Sequence, residues 1–511
     1  MVTGIAALRL SLAVVWAASA WGVADAAAQT AAGSNSSLLS PNIDGGAQNA
    51  QRFQPASGPV PPGTGQSGFV STNLPPQPPA ADQRPSTSFV SQPRPRPASG
   101  QTALAGTPLR GALTTGTAAE LLPVRPRPRR PVDQDPFEPL GLRMGSFTVK
   151  PAIDLSTAYD TNPRRIRNGQ SSFASVAAAE VSVQSDWSRH ALSADLRGSY
   201  SAYSKTTDLN RPYVNGRVNG RIDVSRQTSL DLEGRMVVTT DNPGSPDIQA
   251  NLAYLPIYTS PGASAGVTQR FNRVVLSAKG DFDRISYADS VFTNGQVSSN
   301  ADRNYDRFGY RFRAGYETLP GVVPFIEYAG DRRIYDRMTD RYGQQRDSMG
   351  TTVRGGLAFD LPERLKGDIS AGYSSRDYQE PSLPPLAGFV FDASLVWTAT
   401  PLTTVTLAGT STINEVTLPG LTGYLSRDVG VQVDHAFRQW LIGFARVGIG
   451  FDTYQGIRRD DERQLLAAGM TYKLSRSMQL KGELRRETRR SNMRSNDYTA
   501  NVATIGVRLQ R

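Results

Sequence analysis

Apolar side chains recur at every second position in the stretch from Asn496 to Arg511. The apolar set is Ala503, Ile505, Val507 and Leu509, and the residues between them are small or polar. A period of two belongs to a β-strand with one apolar and one polar face. The same alternation continues back to Phe147, and the polar face carries charges in strand after strand. A soluble sandwich can alternate in this way, but a charged face repeated so often indicates an antiparallel transmembrane β-barrel, apolar toward lipid and polar toward a wet lumen.

Short and long connections alternate between these predicted strands. The short ones are Ser188-Arg189, Arg226-Gln227, Asn272-Arg273, Pro320-Gly321, Pro362 to Lys366, Pro401-Leu402, Arg438-Gln439 and Ser475-Arg476. Bacterial outer-membrane barrels have short periplasmic turns and longer external loops, so this alternation fixes the orientation. Counting between the short turns predicts an all-β fold of about 18 strands. About 16 strands is the alternative, because the strand expected between Ile248 and Phe271 is poorly patterned.

The chain divides into three predicted segments: a signal peptide over 1–28, a Pro/Arg-rich segment over 29–146 and the barrel over 147–511. Arg9, the apolar run 10–23 and the small residues after it are typical of a cleaved secretory signal. Residues 29–146 lack periodicity and contain Arg-Pro repeats, so we expect a disordered periplasmic linker with polyproline II character. Its expected role is a spacer, and the alternatives are a cationic tether for a periplasmic partner or a plug in the lumen.

The composition argues against several function classes. The chain has no Cys, which removes disulfides and thiolate metal sites. Its two histidines, His190 and His435, lie in or near short turns, so a hydrolase would lack its usual general base and we predict no enzyme. No phosphate loop or metal-ligand spacing is present, and no cofactor or metal is expected. The net charge of +11 favours anionic partners, among which export makes nucleic acid the least expected.

Aromatic residues recur near both ends of the predicted strands. Near the long loops are Tyr159, Tyr203, Tyr287, Tyr305, Tyr335, Tyr378, Tyr454 and Tyr498, and near the short turns are Trp187, Trp397 and Trp440. Amphipathic rings at both membrane interfaces form the girdles of a membrane barrel. The sequence therefore predicts two girdles, although Tyr in strands is also ordinary β-propensity.

With this strand pattern, the Tyr-Asp-Thr-Asn-Pro of residues 159–163 and the run Arg311 to Tyr335, the chain resembles the β-barrel porin families of Proteobacteria. It is most similar to the second of those families, which has members linked to exopolysaccharide export. The resemblance covers most of 147–511 and implies an outer-membrane barrel, inserted by the barrel-insertion machinery into lipid and lipopolysaccharide. One departure is the ending Leu509-Gln510-Arg511, where outer-membrane chains usually end in an aromatic residue.

Charged residues accumulate at the predicted inward positions. The predicted pore-lining residues are Arg197, Arg217, Arg221, Arg235, Arg307, Arg311, Arg313, Arg333, Arg354, Arg376, Glu233, Glu317 and Glu327. One interpretation is an ion-paired wall that holds a wide barrel open. The other is a ladder of bidentate donors that favours anions, including carboxylates of a passing anionic polysaccharide. The two interpretations are compatible.

The longest predicted external loop, Asp241 to Gly262, has an apolar middle at Leu252 to Tyr258. We expect it either to fold into the mouth as a constriction or to pack on the rim or a neighbouring subunit. The sequence as a whole predicts a porin-like channel with an anion-biased lumen, and the family resemblance implies its most specific version, a conduit for exopolysaccharide export. The alternative is a structural or adhesin-like barrel that acts through its surface loops.

Overall fold

Eighteen long strands make up most of the structure, a computed structural model that describes residues 136–243, 251–361, 364–415 and 422–511. In chain order they are β1 Phe147–Asp160, β2 Ser172–Ser185, β3 Ala191–Tyr203, β4 Arg211–Asp223, β5 Thr228–Thr240, β6 Ile257–Phe271, β7 Val274–Tyr287, β8 Tyr305–Tyr316, β9 Val322–Tyr335, β10 Ser348–Leu361, β11 Leu365–Tyr378, β12 Leu386–Thr400, β13 Thr403–Glu415, β14 Gly423–Arg438, β15 Leu441–Gln455, β16 Asp460–Lys473, β17 Met478–Ser491 and β18 Tyr498–Gln510.

Each long strand pairs antiparallel with the next, and β18 pairs with β1 to close the sheet. At this seam Ala152 lies opposite Gln510, and Asp160 lies opposite Val502. The predicted barrel of 18 strands is therefore confirmed, and the alternative of 16 is wrong. The poorly patterned strand is β6; it begins at Ile257, so residues 257–262 belong to a strand rather than to the predicted loop.

The two faces of each strand have different surroundings. On β18 the Ile505 side chain is 70% exposed on the outside of the barrel, whereas Arg508 is buried and pairs with Asp154 on β1 and Glu180 on β2. Arg508 reaches a strand two places away because side chains on the concave side of a curved sheet converge. The outer surface is apolar and the inner surface is charged, as the alternation predicts. A continuous apolar belt of this kind requires hydrocarbon, since soluble proteins rarely expose apolar patches larger than roughly a few hundred Å².

The two ends of the barrel differ in their connections. At one, here the turn end, hairpins close in a few residues, and Asn272 (φ 53°) and Gly321 (φ 79°) supply left-handed backbone. A β-carbon on Gly321 would lie 2.6 Å from the carbonyl oxygen of Asp360, so this turn requires glycine. The opposite, loop end has longer connections, including 161–171, 288–304 and 336–347. The described residues contain three single-turn helices, at 207–209, 301–303 and 494–496, and none is long or apolar enough to span a membrane.

The chain approaches the barrel along the seam at the turn end. A short strand, Leu142–Met144, pairs antiparallel with the first residues of β1, beyond the point where Gln510 ends β18. Lys150 Nζ lies 3.1 Å from Glu138 Oε1, and Arg476 donates a hydrogen bond of 2.6 Å to the carbonyl of Pro136. Residues 136–146, which the sequence assigns to the linker, thus contact the barrel. The predicted signal peptide and the rest of the linker lie outside the described residues.

The predicted tyrosine girdle at the loop end is wrong for most of its members. Tyr159 is exposed on the outside, where its ring packs against Phe173 with centroids 5.1 Å apart. Six of the others are buried and occupy the same alternate, inward-facing strand positions as the lumen charges. They are Tyr203, Tyr287, Tyr305, Tyr335, Tyr454 and Tyr498. The tryptophans at the turn end, Trp187, Trp397 and Trp440, are exposed, as an interfacial girdle requires.

Candidate functional site: the barrel lumen and its mouth

Three arginines converge on one carboxylate inside the barrel. Arg313 Nη2 lies 2.6 Å from Glu327 Oε2, while Arg311 Nη1 and Arg354 Nη2 lie 3.4 and 3.3 Å from Glu327 Oε1. Arg313 Nη1 is also 3.4 Å from Asp368 Oδ2 on β11. These five residues, here the Glu327 cluster, come from β8, β9, β10 and β11 and lie near the middle or in the turn-end half of their strands. The structure therefore brings together four of the predicted pore-lining residues.

The Glu327 cluster is partly walled by an aromatic side chain. The guanidinium carbon of Arg313 lies 3.9 Å from the centre of the Phe325 ring, and Phe325 is buried. A guanidinium held over a ring face is attracted by the quadrupole of the ring. Phe325 thus holds the guanidinium group of Arg313 in one orientation, which fixes the direction of its N–H donors.

A second charged cluster joins β4, β5, β7 and β8. Arg217 lies 3.7 Å from Glu233, and Arg235 lies 3.3 Å from Glu233 and 2.7 Å from Asp283. Further pairs on this side of the barrel include Arg221 with Asp223 at 2.8 Å and Arg307 with Asp281 at 2.5 Å. Most of the predicted arginines are therefore ion-paired, which supports the wall interpretation.

Two of the predicted pore-lining residues lie apart from these clusters. Glu317 follows the end of β8 in the turn to β9 and pairs with the exposed Arg270 at 3.0 Å, so it lies at the rim of the turn end. Arg197, on β3, has a buried Nη2 with no hydrogen-bond partner among the described residues. It faces Glu180 across the β2–β3 pair, but Glu180 is bonded to Arg508.

Glu415, a residue the sequence does not single out, gathers side chains from distant strands near the loop end. Arg333 Nη1 lies 3.0 Å from Glu415 Oε2, and Arg376 Nε lies 3.3 Å from Glu415 Oε1. Tyr335 Oη and Ser348 Oγ donate hydrogen bonds of 2.8 Å to the same carboxylate. Since β9 and β13 are four strands apart, these contacts narrow the lumen on this side. The predicted Arg333 and Arg376 act here as bridges between strands.

The described residues 251–256 of the β5–β6 loop fold inward over the mouth. Leu255 is buried in an apolar cluster with Ala158 on β1, Val176 on β2 and Val502 on β18. Those strands are four to six places away from β6 around the barrel, so this part of the loop extends over the lumen rather than along the rim. Leu209, from the β3–β4 loop, joins the same cluster. Of the two expectations for this loop, the structure supports the constriction.

Ion pairs tie the external loops to one another. Arg303 of the β7–β8 loop lies 3.3 Å from Asp241 of the β5–β6 loop. Arg341 of the β9–β10 loop binds Asp302 through Nε at 2.7 Å and Nη2 at 2.8 Å. Burial raises the pKa of Asp302, but the hydrogen bonds and charge of Arg341 outweigh it, so the pKa lies below its usual value. We call the described parts of these loops, together with 161–171 and 204–210, the cap.

Arg165 attaches the first loop of the cap to the lumen wall. Its Nη1 lies 2.7 Å from Asp160 and its Nε 2.8 Å from Glu487 on β17, and all three side chains are buried. Arg165 has a positive φ of 55°, and Nη1 also donates to the carbonyl oxygen of Asn162. The loop therefore turns inward instead of extending into solvent.

Buried tyrosines and arginines alternate beneath the cap. The tyrosine collar consists of Tyr203, Tyr258, Tyr287, Tyr305, Tyr335, Tyr454 and Tyr498. Arg303 lies over Tyr287 at 3.6 Å, Arg459 over Tyr454 at 4.5 Å and Arg489 over Tyr498 at 5.1 Å. All but Tyr258 lie at the strand end where the sequence predicts them, but inside the barrel rather than on its outer surface. Within the described chain no three His, Asp or Glu side chains are grouped as a metal site.

Comparisons with known proteins identify the family. Among solved structures, OpdK of Pseudomonas aeruginosa with vanillate is similar at 12% identity and a TM-score of 0.36, over 71% of this chain and 99% of OpdK. OccAB2 of Acinetobacter baumannii is similar at 11% identity and a TM-score of 0.37, over 72% and 99%. No curated protein sequence matches significantly. The family described as "Putative beta-barrel porin 2" matches residues 135–511. Because this match takes in more than half of the chain and all eighteen strands, the chain belongs to this family of outer-membrane β-barrel channels.

Proposed function

We propose that the protein is a porin-like diffusion channel that favours small anions, and that the Glu327 cluster is its selective constriction. The observation that supports this most directly is the convergence of Arg311, Arg313 and Arg354 on the single carboxylate of Glu327. A guanidinium presents five donors, more than one carboxylate can accept. A passing carboxylate can therefore replace Glu327 as the acceptor for some of these donors, so that the arginines stay hydrogen-bonded while the anion passes.

The distribution of charge around the lumen supports a local preference for anions. β8 contributes three inward arginines, Arg307, Arg311 and Arg313, and no inward acid. Most other strands with inward arginines also carry an inward acid, as β4 does with Arg221 and Asp223 and β5 does with Arg235 and Glu233. A water-filled barrel of eighteen strands would otherwise conduct with little preference. The selectivity of the channel therefore depends on the β8 sector.

The cap and the tyrosine collar favour a second candidate, a conduit for exopolysaccharide. Tyrosine and arginine side chains at the mouth offer apolar faces for sugar rings and donors for their carboxylates. A conduit for a secreted polymer also needs an outer mouth that stays shut at rest. The buried Leu255 and the Arg341–Asp302 pair are contacts that would hold it shut.

Planar-bilayer recording with purified protein tests the proposal. A diffusion channel conducts as soon as it inserts, and its reversal potential in a salt gradient has the sign of anion preference. A conduit for exopolysaccharide stays silent, and deleting its gene lowers the yield of secreted polysaccharide. A barrel that stays silent and whose deletion leaves the yield unchanged contradicts both candidates and favours a structural or adhesin-like role.

A further inference from the structure

The outer half of β17 carries arginines on the face that meets lipid. Its outward side chains from the periplasmic end are Met478, Leu480, Gly482, Leu484, Arg486, Thr488 and Arg490, and Leu484 is 67% exposed. Arg486 and Arg490 are also exposed. The inward arginines of the same strand, Arg485 and Arg489, are buried beside Glu487 and Tyr498. Two arginines of β17 thus belong to the lumen, and two face the membrane.

Among the residues that the structure describes, the outward pair has no carboxylate partner. No acidic side chain of the described residues lies within ion-pair distance of Arg486 or Arg490, although many lumen arginines are paired. Glu462 faces Arg490 across the β16–β17 pair, but its carboxylate accepts a hydrogen bond of 2.6 Å from Gln464. A guanidinium on a lipid-facing surface is costly unless an anion or water reaches it.

The height of the pair matches the outer headgroups. Arg486 is eight residues from Met478 along β17, roughly 27 Å at about 3.4 Å per residue and roughly 20 Å along the membrane normal for a tilt of about 40°. The apolar band is about 25 Å tall, so Arg486 lies near its upper edge. Arg490 lies about 10 Å higher, level with the headgroups. Long arginine side chains reach along such a surface toward the polar region.

On the neighbouring strands β16 and β18 the outward side chains change from apolar to polar at the same height. Opposite Arg486 lie Leu466 on β16 and Asn501 on β18. Toward the periplasmic end the exposed outward side chains are apolar, with Met470 on β16 and Ile505 on β18. Toward the outer end they are polar. The basic pair is therefore confined to the half of the membrane wall that meets the outer leaflet, which is formed by phosphorylated lipopolysaccharide.

We propose that β17 binds the phosphorylated headgroup of lipopolysaccharide, with one phosphate held between the guanidinium groups of Arg486 and Arg490. Guanidinium forks match the geometry of phosphate oxygens and form charge-assisted hydrogen bonds with them. The Thr488 hydroxyl, between the two arginines on the same face, supplies a third donor. The acyl chains of the same lipid lie against Leu484 and Ile505. The site does not depend on what passes through the lumen.

The test measures binding of purified lipopolysaccharide to the full-length protein in detergent micelles. Arg486→Gln with Arg490→Gln is expected to weaken binding about thirtyfold, because each basic side chain at a membrane surface contributes a factor of about five. The wild-type protein should bind lipopolysaccharide stripped of its lipid A phosphates as weakly as the double variant binds the intact lipid. Arg486→Lys with Arg490→Lys should keep part of the affinity.

The matched control removes two exposed arginines from the periplasmic turns. Arg226→Gln with Arg273→Gln should bind as the wild type does, and heat-modified migration in gels confirms that each variant is folded. Equal binding by the wild type and the Arg486/Arg490 double variant overturns the proposal, as does full binding of the dephosphorylated lipid. Displacement of the lipid by millimolar inorganic phosphate would show a free-phosphate site and would also overturn it.

Discussion

Neutralising Arg311 and Arg313 should reverse the charge preference of the Glu327 cluster. In the double variant Arg311→Gln with Arg313→Gln, Arg354 is the one described cation left within ion-pair distance of Glu327, and Asp368 loses its contact with Arg313. Two carboxylates then face one guanidinium at the constriction. The proposed anion preference should become a preference for cations.

The size of this effect follows from Coulomb's law. A unit charge about 6 Å from the path of an ion changes its free energy by roughly 0.7 kcal/mol in water. Removing one positive charge raises the free energy of a passing anion and lowers that of a cation by this amount. Removing two charges therefore changes the difference between anion and cation free energies by about 2.8 kcal/mol before screening. At about 0.1 M salt the Debye length of about 10 Å leaves roughly half of this. The anion-to-cation permeability ratio should therefore fall about tenfold.

Reversal potentials across a salt gradient in planar bilayers measure this ratio. Arg311→Lys with Arg313→Lys keeps both charges and should retain the wild-type sign. Arg270→Gln removes a charge from the periplasmic rim, where Arg270 pairs with Glu317, and should change the potential little. An unchanged reversal potential in the Gln double variant, with the fold intact, would refute the role of these arginines in selection.

Three other predictions concern the cap and the lipid face. Leu255→Ala removes a buried side chain from the cap at a local cost of about 2–5 kcal/mol, so single-channel recordings should show more frequent large openings. Because the pKa of Asp302 is lowered, its ion pair with Arg341 stabilises the cap at neutral pH and is lost as the pH falls through that lowered pKa. Channel openings should therefore increase below about pH 4, where an unpaired aspartate begins to be protonated. Arg341→Gln should abolish this pH dependence. Ile505→Arg places a charge against hydrocarbon and should lower the unfolding free energy by about 2–4 kcal/mol in lipid vesicles, whereas Thr499→Arg, at the outer end of the same face, should cost about 0–1 kcal/mol.

A period of two predicts the face of a side chain but not what lies opposite it. The alternation placed Ile505 outside and Arg508 inside, and short turns such as Asn272-Arg273 gave the strand number. The sequence could not show that Glu415 meets Arg333, because that contact joins strands that are neither consecutive nor adjacent. Such contacts depend on the curvature and register of the closed barrel.

The tyrosine collar was misplaced for a related reason. An amphipathic ring near a strand end suits the membrane interface, and this general preference favours the outside. Here the cap supplies a second interface inside the mouth, formed by Leu209, Leu255 and the loop arginines, and the parity of Tyr203 and Tyr287 already matched the inward charges. Parity along the strand was the better guide than distance from its end.

The short strand Leu142–Met144 also bears on how the ring of strands is sealed. β1 begins at Phe147, five residues before Ala152, which is the last residue of β1 that pairs with β18. If no other segment paired with these five residues, their backbone groups would form an open sheet edge beside the periplasm. Open edges invite pairing with other chains. By folding back on Phe147 and Val149, the chain satisfies these groups with its own backbone and prevents barrels from adding strands to one another.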